Sequence, residues 1–203
     1  MILPGIYASQ ISGHLTPPYS VPTNYYSIQT ATVDSGGSGG TVTFSSIPSG
    51  YTHLQVRGII QSNRGSYAID NTMVRFNSDT GNNYSRHNLD ASASSSTSPE
   101  AYGTGGSSFM GPIPTVTGVA SNVFSGFVMD ILDYTNVNKN KTIRILGGYD
   151  VNGTTGTGSF GGSVGIYSGA WYNSSTAVNS ISFSVVDGTA FNQYSTFELF
   201  GVK

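Results

Sequence analysis

Apolar and polar residues alternate along much of the chain with the two-residue period of β-strands, and no convincing helical period occurs. The clearest alternation is in 52–61, THLQVRGIIQ, which places Leu54, Val56 and Ile60 on one face and His53, Gln55 and Arg57 on the other. We expect one face of this strand to be buried and the other to face water.

Eight further segments have strand composition and are separated by residues that form turns. They are 25–33, 41–47, 71–77, 122–134, 142–150, 163–172, 178–187 and 195–202. Eight or nine strands of this kind predict an all-β fold, an antiparallel β-sandwich with jelly-roll-like or related Greek-key connections. A closed barrel is the alternative, because periodicity alone does not determine strand order.

The segment 122–134, NVFSGFVMDILDY, is apolar on both of its faces. This pattern predicts either a central strand or a strand with one face covered by a neighbouring subunit. A turn at 135–141 joins it to 142–150, and the pair is expected to form a hairpin. The polar region 78–114 is expected to be a long loop.

The 71–77 strand runs into a turn-rich corner. Asn77, Asp79 and Asn83 are residue types that tolerate left-handed backbone or cap turns, so we expect a hydrogen-bonded corner here. Calcium binding by these oxygen atoms is the less favoured alternative, because the spacing lacks the order of an EF-hand loop.

The first 23 residues predict an extended N-terminal arm, which divides the chain into an arm, 1–23, and a β-sandwich domain, 24–203. Four prolines interrupt the arm, and its large apolar residues follow no strand period. One interpretation is a frayed terminus, and the other is a peptide that anchors the domain to another subunit. The expected anchoring residues are Ile2, Leu3, Ile6, Tyr7, Ile11 and Leu15.

Composition narrows the classes of partner. Charged residues make up 9% and the formal net charge is -2, so we expect no binding to nucleic acid. The absence of cysteine excludes disulfides and thiolate chemistry. No segment is long and apolar enough for membrane insertion, and the start of the chain lacks the features of a signal peptide.

Catalysis and cofactors are not expected. Three histidines and many serines are present, but no nucleophile elbow surrounds a serine. Asp130 and Asp133 fall on opposite faces of a regular strand, which argues against a carboxylate pair. The sequence therefore predicts a protein that is not an enzyme, with no catalytic, cofactor or metal residues.

Aromatic residues supply the expected contact sites. Trp171 and Tyr172 are adjacent on a strand, so one points inward and the other outward, and a core Trp171 is favoured over a sugar-stacking surface. Tyrosine gives rigid contact area at low entropic cost. We expect Tyr67, Tyr84 and Tyr102 to be exposed on loops and to contact a host surface.

Several segments together resemble one known family. They are IPSGYTHLQVRG (47–58), VRFNSDTGNNYSRH (74–87), GFVMDILDYTNVNKNKT (126–142), GAWYNSSTAVNSISF (169–183) and STFELFGVK (195–203). These segments are similar to the β-sandwich virion structural proteins of tailed bacteriophages, which occur in tail fibres, appendages and capsid-surface proteins.

The resemblance implies a virion protein, made in the cytoplasm of the bacterial host and attached to other virion proteins through its arm. It also implies a homo-oligomer, with a trimer favoured, and contact with a host surface glycan. The chain has no repeat region or coiled-coil shaft, which keeps a capsid decoration role open beside a fibre role. The alternative is a carbohydrate-binding module or lectin without a virion role.

Overall fold

The computed structural model describes residues 24–34, 40–65, 67–92, 95–105, 108–115, 122–150 and 162–203, with backbone alone for the described part of 92–114. The predicted arm, 1–23, lies outside the described residues. Within the described part of the chain, no helix is long and apolar enough to cross a membrane.

Twelve strands make up the described structure, and every pair of neighbouring strands is antiparallel. They are β1 Tyr25–Thr32, β2 Thr41–Phe44, β3 His53–Ile60, β4 Ile69–Phe76, β5 Tyr84–Ser92, β6 Ser95–Gly105, β7 Ser108–Pro114, β8 Ser125–Leu132, β9 Lys141–Asp150, β10 Gly162–Trp171, β11 Ile181–Val185 and β12 Thr196–Val202.

The strands form two sheets. The eight-stranded sheet has the order β1-β12-β3-β8-β9-β10-β5-β6, and the four-stranded sheet has the order β2-β11-β4-β7. Eight of the strands, β2 to β7 with β10 and β11, follow jelly-roll order, first-eighth-third-sixth in one sheet and second-seventh-fourth-fifth in the other. The β8–β9 hairpin is inserted between the second and seventh strands, and β12 and β1 extend the same sheet.

The predicted antiparallel β-sandwich with jelly-roll-like connections is confirmed. Each of the nine predicted strand segments overlaps an observed strand, and the predicted hairpin is β8–β9. The expected count of eight or nine strands is too low, because the predicted loop 78–114 contains β5, β6 and β7. Strands β5 and β6 are polar in sequence, and their backbone pairing does not require an apolar face. Strand β7, SFMGPIP, is apolar but is interrupted by Gly111 and Pro112, so it shows no strand period.

Aromatic rings join the two sheets across the core. Phe183 of β11 lies with its ring centroid 5.1 Å from Phe197 of β12 and 6.4 Å from Phe127 of β8. Phe191 meets Phe197 edge-on, with the ring centroids 5.0 Å apart. Such tilted and edge-on pairs add to the stabilisation that burial of the rings already provides. The core is therefore one continuous cluster shared by both sheets.

Strand β8 occupies the predicted central position, between β3 and β9. Phe127, Met129 and Ile131 point inward and are buried, whereas Val128 points outward and is partly exposed. The apolar pattern on both faces therefore has two causes, a core on the inner side and an uncovered aliphatic residue on the outer side.

Replacing Phe197 with alanine is expected to lower the free energy of unfolding by about 3 to 5 kcal/mol, because a fully buried ring leaves a cavity. The control is Phe200→Ala on the same strand, whose half-buried ring lies on the outer face and leaves no core cavity. Urea unfolding of both variants measures the difference, and equal losses would contradict the assigned facing of β12.

Candidate functional site

A cluster of exposed aliphatic side chains lies on the outer face of the eight-stranded sheet. Leu146 and Ile166 are 56% and 57% exposed, respectively, which is unusual for residues in the middle of a sheet. The members of the cluster are Ile59, Leu89, Val128, Leu146, Val164 and Ile166. Contiguous apolar surface of this kind marks an interaction site more often than isolated exposed residues do.

Strand register brings these residues together in two adjacent rows. In the first row, Val128 pairs with Leu146, Leu146 with Ile166, and Ile166 with Leu89. Because residues that pair across strands point to the same face, the four side chains form an unbroken strip over β8, β9, β10 and β5.

The second row contains two glycines between two aliphatic residues. Ile59 pairs with Gly126, Gly126 with Gly148, and Gly148 with Val164. The missing side chains at Gly126 and Gly148 lower the surface between Ile59 and Val164. The result is a groove of about 630 Å³, named here the outer-face groove, which crosses the sheet from β12 to β10.

A polar network borders the groove on the β3 side. The Arg57 Nε donates to Gln55 Oε1 at 2.6 Å, and Gln55 Nε2 donates to Asp130 Oδ1 at 2.8 Å. The Arg57 guanidinium lies over the rings of Phe200 and Tyr25, at 4.9 and 5.1 Å. An apolar centre with a hydrogen-bonded polar rim is the usual anatomy of a protein interface.

The predicted corner after β4 is hydrogen-bonded, as expected. The Asp79 carboxylate accepts bonds from Trp171 Nε1 at 2.7 Å, Asn83 Nδ2 at 2.9 Å and the Gly81 amide at 2.8 Å. Asn77 has a left-handed φ of 51°, and its side chain bonds backbone of the segment before β11. The corner thereby connects β4, β5, β10 and the approach to β11.

Charge on Asp79 is stabilised within this corner. The Trp171 hydrogen bond lowers the pKa of the Asp79 carboxyl below its usual value, with smaller contributions from Asn83 and Gly81, and partial burial opposes them. Ionised Asp79 is therefore the form that the folded protein prefers.

The expected exposure of Tyr84 is wrong, since its side chain is only 1% exposed. Its hydroxyl accepts the Phe76 amide proton at 2.9 Å, and its ring stacks on Trp171 at 6.4 Å. Burial raises the pKa of Tyr84 to about 12. The sequence placed Tyr84 in a loop, but it is the first residue of β5 and faces the core, so it offers no contact to a host surface.

The remaining aromatic predictions differ in outcome. Trp171 is buried and Tyr172 exposed, so the predicted facing is confirmed. Tyr67 is exposed as expected, and the Arg64 guanidinium lies 4.0 Å from its ring centroid. Tyr102 lies on β6 with its side chain outside the described part of the structure, and host contact by Tyr67 or Tyr102 stays a prediction.

The predicted anchoring residues also lie outside the described residues. These are Ile2, Leu3, Ile6, Tyr7, Ile11 and Leu15.

Buried polar groups in the described structure tie loops together. The Lys141 ammonium is fully buried and donates to the carbonyls of Asn136, Lys139 and Asn173 at 2.6, 3.0 and 3.0 Å. Its position under the Trp171 ring, at 5.8 Å, places it beside the Asp79 corner. Lys141 therefore joins the turn after β8 to the segment after β10.

A second buried group, Asp70, joins the segment after β3 to the loop before β12. Its carboxylate accepts hydrogen bonds from Ser62 Oγ at 2.6 Å and from the amides of Asp187 and Gly188 at 3.1 and 2.9 Å. These bonds satisfy the carboxylate and engage the Ser62 hydroxyl. Among the described residues, no group of three His, Asp or Glu side chains is placed to hold a metal ion.

Comparison with known proteins gives no match to a family model, to a curated protein or to a solved structure. The outer-face groove is a feature that the sequence did not predict directly. Its signal was the strand with two apolar faces, but assembling the groove requires the register of β3, β8, β9 and β10.

Two glycines on neighbouring strands are expected to respond differently to substitution. A Cβ at Gly126 meets no atom within 4 Å, so Gly126→Ala is expected to leave the free energy of unfolding unchanged or raise it by up to about 1 kcal/mol. A Cβ at Gly58 would lie 2.5 Å from the Thr196 carbonyl oxygen and 2.6 Å from the Phe127 ring, so Gly58→Ala is expected to cost about 1 to 3 kcal/mol. Thermal unfolding tests the pair, and a loss at Gly126 as large as that at Gly58 would show that the groove floor is not open.

Asp79→Asn is expected to lower the free energy of unfolding at pH 7 by about 1 kcal/mol, because a neutral amide is a weaker acceptor for Trp171 than a carboxylate. The folded pKa of Asp79 lies below its unfolded value, so its contribution is complete above about pH 4 and is lost as pH falls through the folded pKa. The difference between parent and variant should therefore shrink in acid.

Fluorescence of Trp171, the single tryptophan, reports both unfolding curves. Comparing the parent with Asp79→Asn isolates this carboxyl from the others that titrate in the same range. A stability difference that stays constant from pH 7 down to pH 2 would contradict a charge-assisted bond.

Proposed function

We propose that the chain is a non-enzymatic structural protein of a bacteriophage particle, displayed on the particle surface as a tail-fibre, appendage or capsid decoration component. The observation that carries this proposal is the outer-face groove, an aliphatic surface on the eight-stranded sheet that is exposed in the described part of the structure. A subunit that packs against other virion proteins needs such a surface.

The groove supports an assembly role through its composition. Its centre is formed by Ile59, Val128, Leu146 and Val164 and contains no charged residue, whereas Arg57 and Glu198 lie at one end. Interface centres are depleted in charged residues and bordered by polar ones. The hydrogen bonds of the border already hold Arg57 in place, so less side-chain entropy is lost when a partner packs beside it.

The fold supports the proposal more weakly. Jelly rolls form viral capsid proteins and lectins, among other proteins, so the architecture alone does not separate these functions. The resemblance of five segments to bacteriophage virion proteins favours the viral role. Burial of the Tyr84 and Trp171 rings leaves Tyr172 as the exposed ring of these three near the corner, so a sugar site there would lack a second stacking surface from Tyr84 or Trp171.

In this proposal the chain is a homo-oligomer, a trimer by resemblance, and host contact takes place on loops away from the groove. Tyr67 is an exposed aromatic residue suited to that contact, because Arg64, which is ion-paired with Asp187 at 3.0 Å, lies over its ring and supports it.

Deletion of residues 1–23 is expected to abolish incorporation into particles while changing the melting temperature little, because every residue of the described core lies beyond position 24. The measurement is immuno-electron microscopy of particles purified from the source lysate, with an antibody to this chain. Tyr67→Ala serves as the control, since an exposed residue outside the groove should leave incorporation intact. Particles without label from the parent chain would refute the virion role.

A further inference from the structure

The outer-face groove has a specific occupant, and we propose that it is the N-terminal arm of a neighbouring copy. In this arrangement the segment 2–7, ILPGIY, lies across the groove. The inference deepens the proposed function and rests on it for the setting in which copies meet, since a particle holds many copies side by side.

The arm and the groove match in chemistry. Residues 1–23 contain no Asp, Glu, Lys or Arg, so their burial carries no charge-desolvation cost from side chains. The segment 2–7 carries Ile2, Leu3 and Ile6, which are aliphatic like the side chains they would cover. Docking would remove apolar area of both the arm and the groove from water, and the free energy of binding would gain in proportion to that area.

The two also match in length. The aliphatic part of the groove extends from β3 to β10, three strand spacings or about 14 Å. An extended segment of six residues spans about 17 Å between its first and last Cα atoms. The segment 2–7 therefore covers the groove from one side to the other without excess length.

The sequence Pro4-Gly5 is compatible with this position. A peptide lying on the face of a sheet does not pair with a strand edge, so the missing amide proton of Pro4 costs no sheet hydrogen bond. At the centre of the groove, the position that a Cβ of residue 126 would occupy has no atom within 4 Å, which leaves room for the proline ring above Gly126.

The direction of β1 favours a neighbouring copy over the same chain. Strand β1 runs from Tyr25, in register with Val202, toward Thr32, in register with Thr196 at the groove. Asn24 therefore lies at the far end of the sheet, about 20 to 25 Å along the strand from the groove. A segment that continues β1 backward leads away from its own groove.

Prolines next to β1 oppose the reversal that docking within one chain would need. Pro17, Pro18 and Pro22 favour extended polyproline conformation, and such segments behave as semi-rigid spacers. A semi-rigid spacer of this composition favours contact of the aliphatic segment with another molecule.

The absence of cysteine allows a direct test by disulfide trapping in the full-length chain. Ile6→Cys places one thiol in the arm, and Leu146→Cys places one at an exposed site in the groove. The two single variants are mixed, oxidised and digested, and the linked peptides are identified by mass spectrometry. We expect a 6–146 disulfide between chains, because docking brings the two Cα atoms within bonding range.

The matched control is Val137→Cys, which is similarly exposed but lies in the turn after β8. The 6–146 yield should exceed the 6–137 yield at least about tenfold, as expected when docking raises the local thiol concentration. Equal yields would overturn the inference, as would a predominant 146–146 link from two stacked grooves. A 6–146 link found within single chains of the double variant, but absent from the mixture, would show that each arm covers its own groove.

A second variant, which contains no introduced cysteine, tests the same docking by blocking the groove. The parent chain is expected to show a rise in mass with concentration in analytical ultracentrifugation. Gly126→Leu fills the open floor of the groove and should reduce that rise while the melting temperature is retained. Unchanged association would overturn the inference.

The two proposals fail separately. Particles that carry the label without a 6–146 link would leave the virion role standing and remove the arm from the groove. A 6–146 link with unlabelled particles would establish arm exchange between copies and remove the virion role.

Discussion

The contact between Phe183 on one sheet and Phe127 and Phe197 on the other is the interaction on which the remaining structure depends. Burying these rings fixes which face of β8, β11 and β12 points inward. Because side chains alternate along a strand, one inward residue determines the facing of its neighbours. With Phe127 in the core, Val128 must lie outside, and the exposed aliphatic strip follows from the same register that builds the core.

Sequence periodicity predicted the strands in which apolar and polar residues alternate and missed β5, β6 and β7, in which they do not. The β3 alternation of Leu54 and Val56 is readable because each inward position must be apolar. Strand β6, SSTSPEAYGTG, is an edge strand held by backbone pairing to β5, and that pairing leaves no hydrophobic period in the sequence.

The corner was more predictable from the sequence than the groove was. The turn residues from Asn77 to Asn83 act locally, so their hydrogen-bonded role was predictable. The hydrogen bond that Trp171 donates to Asp79 joins residues 92 positions apart, so it can be identified only in the folded chain. The groove could not be predicted for the same reason, because it is assembled by the pairing of Ile59 with Gly126 and of Gly148 with Val164, residues that lie on separate strands.

The inserted β8–β9 hairpin has a consequence for how this protein can vary. Its inward side chains, such as Met129 and Ile145, belong to the core, whereas Val128 and Leu146 point outward and are exposed. Substitutions at Val128 and Leu146 can therefore change the apolar surface that this face presents while leaving the core side chains in place. A single hairpin separates these two selective pressures, residue by residue, and gives the jelly roll a surface that is free to diverge.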